Sequence, residues 1–141
     1  MIVLDTTILV YATGVEHPLR TPCQQLIDMI AQGRIVATTT PEVIQEYVHV
    51  RARRLTRAET ARTARDFVSL LRPLLMVDAS MLSAGLRIYE ETPNIGSFDA
   101  VLAAAAIWLS ADALVSADRG FAGVKGLTYL DPAATDFLTG I

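Results

Sequence analysis

Short apolar runs alternate with longer segments of helical periodicity along this chain, and this alternation constrains the fold more than any other feature. The predicted strands are residues 2–4, 35–37, 74–77, 113–116 and 127–130. The predicted helices are a segment around 23–30, one starting at Thr40-Pro41, one starting near Thr56 and ending before Pro73, then 80–91 and 97–109. Short apolar strands joined by helices are typical of a parallel sheet covered on both faces. We therefore predict an α/β sandwich.

Length and composition favour one soluble domain. The chain has 141 residues, of which 52% are hydrophobic and 19% charged, which predicts a well-filled core. The apolar run Ala100 to Leu109 is about half the length of a membrane-spanning helix, and the first residues lack the basic start of a signal peptide. We therefore expect a cytoplasmic protein without membrane contact.

Cysteine and histidine are too scarce for most metal sites. Cys23 is the single cysteine and His17 and His49 are the two histidines, so an internal disulfide and a cysteine- or histidine-rich metal site are excluded. Any metal would therefore be held by oxygen ligands. We expect Cys23 and Trp108 to be core residues, since both lie on predicted helices with apolar neighbours.

The basic residues are distributed unevenly. The net charge is -3, which does not favour nucleic-acid binding by the molecule as a whole. Half of the twelve Lys and Arg residues nevertheless lie in one stretch in which Glu59 is the only acid: Arg51, Arg53, Arg54, Arg57, Arg62 and Arg65. The planar guanidinium suits phosphate, but a solvated helix face is an equally good interpretation.

Two aspartates follow strands of the predicted sheet. Asp5 comes directly after the first strand, and Asp118 lies two residues past the strand that ends at Ser116. The carboxyl ends of parallel strands meet at one edge of a sheet, where such folds place their active sites. We therefore expect Asp5 and Asp118 to be neighbours.

Two further acids belong to predicted helices. Asp99 lies in the first turn of the helix that starts at Ser97, where an acid also favours the helix dipole without any other role. Glu46 shares one helix face with Val43, Tyr47 and Val50, so it needs either an arginine partner or a place at the edge of the apolar stripe. If these two acids also reach the sheet edge, four carboxylates meet there.

Clustered carboxylates imply a cation, because like charges within about 5 Å raise one another's pKa. Mg²⁺ and Mn²⁺ accept carboxylate and water oxygens, and Mg²⁺ keeps several waters. Such a site suits hydrolysis of a phosphodiester bond.

Four segments together resemble a known family. "MIVLDTTILVYA", "TTTPEVIQEYVHVRARR", "GSFDAVLAAAA" and "ALVSADRGFAG" look like the ordered motifs of PIN-domain nucleases, specifically the VapC-type ribonuclease toxins of bacterial toxin–antitoxin pairs. The resemblance covers nearly the whole chain and places the family's acidic quartet on Asp5, Glu46, Asp99 and Asp118. Its hydroxyl positions fall on Thr6 and Ser116. The family often has asparagine where this chain has Thr7, which puts one supporting hydrogen bond in question.

The resemblance implies a single PIN domain over residues 1–141 with a five-stranded parallel sheet and helices on both faces. It also implies a Mg²⁺-dependent endoribonuclease, with Mn²⁺ able to substitute, that leaves 5′-phosphate and 3′-hydroxyl ends. Asp5, Asp99 and Glu46 would hold the metal, and Asp118 would complete the site or position a second ion. Ser116 and Thr6 would orient ligands by hydrogen bonds.

The same resemblance implies partners. A VapB-type antitoxin would lie across the active site, and the toxin would pair as a homodimer within the toxin–antitoxin complex. Transfer, ribosomal and messenger RNA all remain open as substrates, and the arginine-rich stretch could contact either RNA or antitoxin.

Other functions fit the residues less well. A haloacid-dehalogenase phosphatase needs a second aspartate at position 7, where this chain has Thr7, and a receiver domain needs an acid pair and a later lysine that the sequence does not supply in place. Two alternatives stay open: a non-catalytic PIN-like module that binds RNA or protein, and a nuclease acting on DNA or on particular nucleic-acid structures.

Overall fold

The computed structural model describes residues 1–139. Its strands and helices, in chain order, are β1 Ile2–Leu4, α1 Thr6–Thr13, α2 Arg20–Ala31, β2 Ala37–Thr38, α3 Pro41–Arg51, α4 Arg57–Leu70, α5 Ala79–Glu91, α6 Ser97–Trp108, β3 Ala113–Val115 and β4 Tyr129–Leu130. Short 3₁₀ turns cover Arg119–Gly123 and Phe137–Thr139. The single domain expected over residues 1–141 therefore includes two residues, 140 and 141, that lie outside the described part.

The strands form one parallel sheet in the order β2-β1-β3-β4. Val3 pairs with Thr38 on one side and with Leu114 on the other, so β1 and β3 are central neighbours. All residues of both strands are buried, as expected for strands covered on both faces. The predicted α/β fold with a parallel sheet flanked by helices is confirmed. The carboxyl ends of β1 and β3 lie side by side and position the residues that follow them.

The expected fifth strand is wrong: within residues 1–139 the sheet has four strands. The segment 74–77 makes one backbone hydrogen bond near β2, from Leu75 N to the carbonyl oxygen of Thr39 at 2.9 Å, and Thr39 is the residue after the end of β2. The Thr38 hydroxyl donates to the carbonyl of Pro73 at 2.8 Å. A side chain therefore occupies a carbonyl oxygen that would accept a backbone hydrogen bond if this segment were a strand of the sheet. Met76 is 68% exposed, which also sets this segment apart from the buried strands.

One helix escapes the sequence analysis. α1 begins directly after β1, with Asp5 as its N-cap accepting a hydrogen bond from Thr7 N. Its buried residues Ile8 and Leu9 belong to the run Ile8–Val10, which is as compatible with a strand as with a helix. The capping aspartate is the signal that distinguishes the two. Because α1 starts at Thr6, Asp5 stands at the junction of a central strand and a helix.

The predicted helix starts at Thr40 and Thr56 are confirmed. The Thr40 hydroxyl accepts from Val43 N at the start of α3, with Pro41 in the first turn. Thr56 and Glu59 form a reciprocal capping box at the start of α4. The start of α3 follows β2 closely, which brings this helix over the carboxyl end of the sheet.

Helices α5 and α6 cross at very short distance. A Cβ placed on Gly85 would lie 2.7 Å from the Cα and Cγ2 atoms of Val101, so the crossing requires glycine at this position. This packing fixes α6, and with it the first turn that carries Asp99. In the described residues 1–139, no helix has both the length and the hydropathy needed to cross a membrane.

Candidate active site

Asp5 is the most buried of the four predicted acids, with 3% of its surface exposed. Its backbone N–H donates to Val115 O at 3.0 Å, which joins the end of β1 to the end of β3. Its Oδ2 accepts hydrogen bonds from Thr7 N at 3.2 Å, the Thr7 hydroxyl at 2.7 Å and the Ser116 hydroxyl at 2.7 Å. Within residues 1–139 no protein donor contacts Oδ1. One carboxylate oxygen is thus fixed, and the other remains available to a cation.

Thr7 stands where the family often has asparagine, and its hydroxyl makes hydrogen bonds at the site. Its hydroxyl donates to Asp5 and accepts from Ala117 N at 3.0 Å, and it lies 3.3 Å from the Ser116 hydroxyl. The two hydroxyls therefore connect the start of α1 to the end of β3 around the Asp5 carboxylate. Thr7 is not among the site residues predicted from the sequence, although its position two residues after Asp5 is a signal that could identify it.

Glu46 lies at the edge of the buried face of α3. The buried residues of that helix are Val43, Ile44, Tyr47 and Arg51. Glu46 itself is exposed, and its Oε2 accepts the Thr6 hydroxyl at 2.7 Å. Of the two alternatives considered for Glu46, the structure shows the edge position, with a threonine rather than an arginine as partner. Thr6 is buried, so this hydrogen bond ties α3 to the start of α1.

Asp99 is half-buried in the first turn of α6 and has a pKa raised to about 6. Burial is the largest cause, and repulsion from Asp5, Asp118 and Glu46 adds to it, while a backbone hydrogen bond at Gly96 opposes it. All three other predicted acids thus act on Asp99. The structure brings the four carboxylates to one end of the sheet.

Asp118 lies at the outer rim of this cluster. It is exposed and caps the 3₁₀ turn Arg119–Gly123, with Oδ1 accepting from Gly120 N at 2.7 Å. Its own N–H donates to the Ser116 hydroxyl at 2.9 Å. The buried hydroxyl of Ser116 therefore contacts both the Asp5 carboxylate and the backbone of Asp118, and it links the residues that follow β1 to those that follow β3.

A groove of about 910 Å³ opens over three of the acids. Asp5, Glu46 and Asp99 line it, whereas Asp118 does not. Much of the remaining lining is apolar and comes from α3, from α5 and the residues just before it, and from α6: Val43, Val77, Leu82, Leu86, Phe98, Val101 and Leu102. The groove thus combines an acidic end with apolar walls.

The donor set suits a hydrated divalent cation rather than a closed cage. Among residues 1–139, no three His, Cys, Asp or Glu side chains stand close enough together to hold a metal ion. Mg²⁺ typically binds through one or two carboxylates and keeps several waters, which this arrangement permits. Burial and repulsion from the other acids both raise the pKa of Asp99, and a bound cation would oppose both effects by favouring the charged carboxylate. The residues therefore fit Mg²⁺ or Mn²⁺.

The arginine-rich stretch is not one continuous surface. Arg51 is 9% exposed, and its Nη2 donates to Thr13 O at 2.9 Å at the end of α1, so it supports the fold. The other five arginines of the stretch are exposed, and none lines the groove. Arg51 is therefore not part of an exposed basic patch, because the last turn of α3 packs against α1.

Of the two predicted core residues on helices, one is buried and one is not. Cys23 is fully buried, as predicted. Trp108 is 63% exposed at the last residue of α6, because this helix buries its run of alanines, Ala103 to Ala106, instead. The prediction for Trp108 is therefore wrong.

The sequence is similar to the PIN domain and to two ribonucleases of Mycobacterium tuberculosis. A sequence profile of the PIN domain matches residues 2–127. Ribonuclease VapC7 of Mycobacterium tuberculosis is 48% identical to this chain over 140 residues, which cover 99% of this chain and 97% of that protein. Ribonuclease VapC23 of the same species is 26% identical over 99 residues, or 70% of this chain and 78% of that protein.

Solved structures share the fold at lower sequence identity. VapBC2 from Rickettsia felis, bound to a DNA fragment from its promoter, superposes with a TM-score of 0.72 at 20% identity and covers 93% of this chain and 98% of that chain. VapC20 of Mycobacterium tuberculosis, described as a sarcin-ricin loop cleaving toxin, gives a TM-score of 0.71 at 14% identity, with 90% and 98% covered.

Proposed function

The chain belongs to the PIN-domain family, and from this membership and its acidic site we propose that it is a metal-dependent endoribonuclease toxin that hydrolyses phosphodiester bonds in RNA. The observation that carries the proposal is the convergence of Asp5, Glu46 and Asp99 on one groove, with Asp118 at the outer rim of the cluster. The relative that matches nearly the full length is named a ribonuclease, which supports RNA as the substrate.

We assign the metal to the acidic end of the groove. Asp5 and Asp99 would hold the ion, directly or through water, and Glu46 would take part from α3. Asp118, at the rim, would complete the shell or position a second ion. When bound, Mg²⁺ or Mn²⁺ neutralises the phosphate and lowers the pKa of a coordinated water.

The remaining residues position these ligands. Thr7 and Ser116 hold Oδ2 of Asp5 and so direct Oδ1 into the site. Thr6 orients Glu46 by donating to Oε2. These hydrogen bonds place the oxygens before substrate arrives, which lowers the cost of organising the transition state. No histidine takes part in this scheme.

We also propose a VapB-type antitoxin as the partner and a homodimer as the toxin's form within the complex. The structural neighbour from Rickettsia felis is a VapBC complex, and the apolar walls of the groove would accommodate a protein segment. The antitoxin would then cover the acidic end and exclude RNA.

Two alternatives are weaker. A non-catalytic binding module would have no use for carboxylates where a phosphate must sit, because uncompensated negative charge repels RNA. A DNA-cleaving enzyme would use a similar metal site, so the substrate must be tested directly.

The test is cleavage of total cellular RNA and of DNA by purified protein in Mg²⁺, in Mn²⁺ and in EDTA. We expect discrete RNA fragments that disappear in EDTA and in Asp5→Ala, Asp99→Ala and Glu46→Gln, each shown to be folded by circular dichroism. Glu42→Gln is the matched control, because Glu42 lines the same groove one turn before Glu46 but lies outside the cluster.

Cleavage that survives EDTA or the Asp5 and Asp99 substitutions would contradict the metal mechanism. Absence of cleavage of both RNA and DNA in every condition would contradict the enzyme assignment. Cleavage of DNA alone would keep that assignment and show that DNA is the substrate.

A further inference from the structure

Phe98 is the most exposed large apolar side chain in residues 1–139, with 80% of its surface accessible. Exposure of an aromatic ring forgoes the stabilisation of burial. Nearby residues in the chain are not exposed in this way, since Ile95 is buried and Ala100 is fully buried. The fold therefore presents Phe98 to solvent at the start of α6 without using it in the core.

The position of Phe98 relates it to the acidic cluster. It precedes Asp99, so the two Cα atoms are about 3.8 Å apart. It also lines the same groove as Asp5 and Glu46. A phosphodiester held at the acidic end through a cation would place an adjoining nucleotide beside this ring.

Exposed aromatic rings bind unpaired bases by stacking, which is a main source of affinity for single-stranded RNA. A stacked base supplies apolar contact without a negative charge of its own, so it fits the part of the groove where the carboxylates give way to apolar walls. Leu86 and Val101 also line the groove and add to its apolar surface.

We propose that Phe98 is a stacking platform for an unpaired base of the RNA next to the phosphodiester that is cleaved. This inference rests on the proposed ribonuclease function and adds a substrate requirement: the nucleotide at the platform must be unpaired. A protein segment packed against Phe98 is the competing occupant. RNA is favoured because the next residue, Asp99, is a proposed ligand of the cation that would hold the phosphodiester, and both residues line the groove.

The test uses a single-stranded RNA of about 12 nucleotides carrying the cleavage site mapped on cellular RNA. One version has 2-aminopurine in place of the base on the 5′ side of the scissile phosphate, and another has it on the 3′ side. Binding is followed by 2-aminopurine quenching and by fluorescence anisotropy with Ca²⁺ in place of Mg²⁺. Cleavage is followed in Mg²⁺.

Four variants separate stacking from mere apolar contact. Phe98→Ala and Phe98→Leu should abolish quenching at one of the two positions and weaken binding at least about fivefold, with a matching rise in KM. Phe98→Tyr and Phe98→Trp should retain both. Trp108→Ala is the matched control, because Trp108 is an exposed aromatic at the opposite end of α6.

The outcomes distinguish the two proposals. Failure of the parent protein to cleave RNA would contradict the ribonuclease function and the platform together. Normal cleavage with unchanged quenching, affinity and KM in Phe98→Ala would contradict the platform alone. Full activity of Phe98→Leu would assign the ring to apolar contact, and a change of oligomeric state in Phe98→Ala on size-exclusion chromatography would assign it to a protein interface.

Discussion

Thr7 and Ser116 hold one oxygen of Asp5 through short hydrogen bonds, and no donor among residues 1–139 contacts the other oxygen. An orientation set in this way affects metal affinity and activity without direct contact with the metal. At the scale of single residues, the chemistry of Asp5 therefore depends on two neutral hydroxyls.

Thr7→Val removes the hydroxyl and keeps the shape of the side chain. We expect cleavage activity to fall about tenfold, because Asp5 Oδ2 and Ala117 N each lose a partner. Thr7→Ser keeps the hydroxyl and should retain most activity. Equal activity of the two variants would show that the hydroxyl does not position Asp5. The measurement is kcat/KM on the mapped RNA.

The stability of the metal-free protein should depend on pH because Asp99 has different pKa values in the folded and unfolded states. Its pKa rises from an ordinary 3.8 to about 6 on folding, so the folded state binds the proton more tightly than the unfolded state. The group therefore destabilises the fold increasingly as the pH rises from about 4 through 6, and fully at pH 7 and above.

Asp99→Asn removes this penalty. In EDTA at pH 7.5 we expect the variant to unfold at higher temperature than the parent, by about 3 °C or 1 kcal/mol after allowance for solvent screening of a half-buried group. At pH 3.5 the two proteins should unfold alike. Mg²⁺ should raise the melting temperature of the parent more than that of the variant. A variant that is less stable at pH 7.5 would contradict the conclusion that burial and repulsion of the Asp99 carboxylate destabilise the fold.

At the scale of elements, caps were the most reliable sequence signal. Thr40 and Thr56 carry hydroxyls that accept hydrogen bonds from the first turn of their helices, and these local interactions are readable from a few residues. The segment 74–77 is different, because its pairing depends on Thr38, a residue more than thirty positions away. Sequence periodicity carries no information about such a contact.

Gly85→Ala tests the crossing that positions α6. Helix propensity alone predicts a gain of about 1 kcal/mol, whereas the new Cβ would lie 2.7 Å from Val101 Cα. We expect a net loss of about 1 to 2 kcal/mol in urea unfolding and reduced cleavage, because α6 must move together with Asp99. Ser83→Ala, at an exposed position of the same helix, should change the free energy of unfolding by less than about 0.5 kcal/mol. A stabilised Gly85→Ala protein would contradict the close crossing.

At the scale of the whole molecule, the core and the acidic site are separate. The core is built from buried residues of the central strands and the helices, including Val3, Leu4, Leu114 and Val115. Sequence reasoning located these strands and the four acids, because both follow from local patterns. It misplaced Trp108 and did not separate Arg51 from the exposed arginines, since burial of a helix end depends on which neighbours pack against it.

This separation predicts that EDTA abolishes cleavage without unfolding the protein. The far-UV circular dichroism spectrum should be unchanged, and unfolding in urea should stay cooperative with a modestly lower midpoint, as expected for loss of a ligand that binds only the folded state. Cooperative unfolding on addition of EDTA alone would instead identify the metal as structural.

Asp5 has two duties: it caps α1 and places a carboxylate in the acidic site. Capping requires only a short side chain that accepts a hydrogen bond, which asparagine or serine also provides, whereas the acidic site requires the charge. If a descendant of this protein were released from selection for catalysis, folding would keep a capping residue at position 5 but would not keep the carboxylate. Replacement of Asp5 by a neutral capping residue would then be an early mark of a retired enzyme.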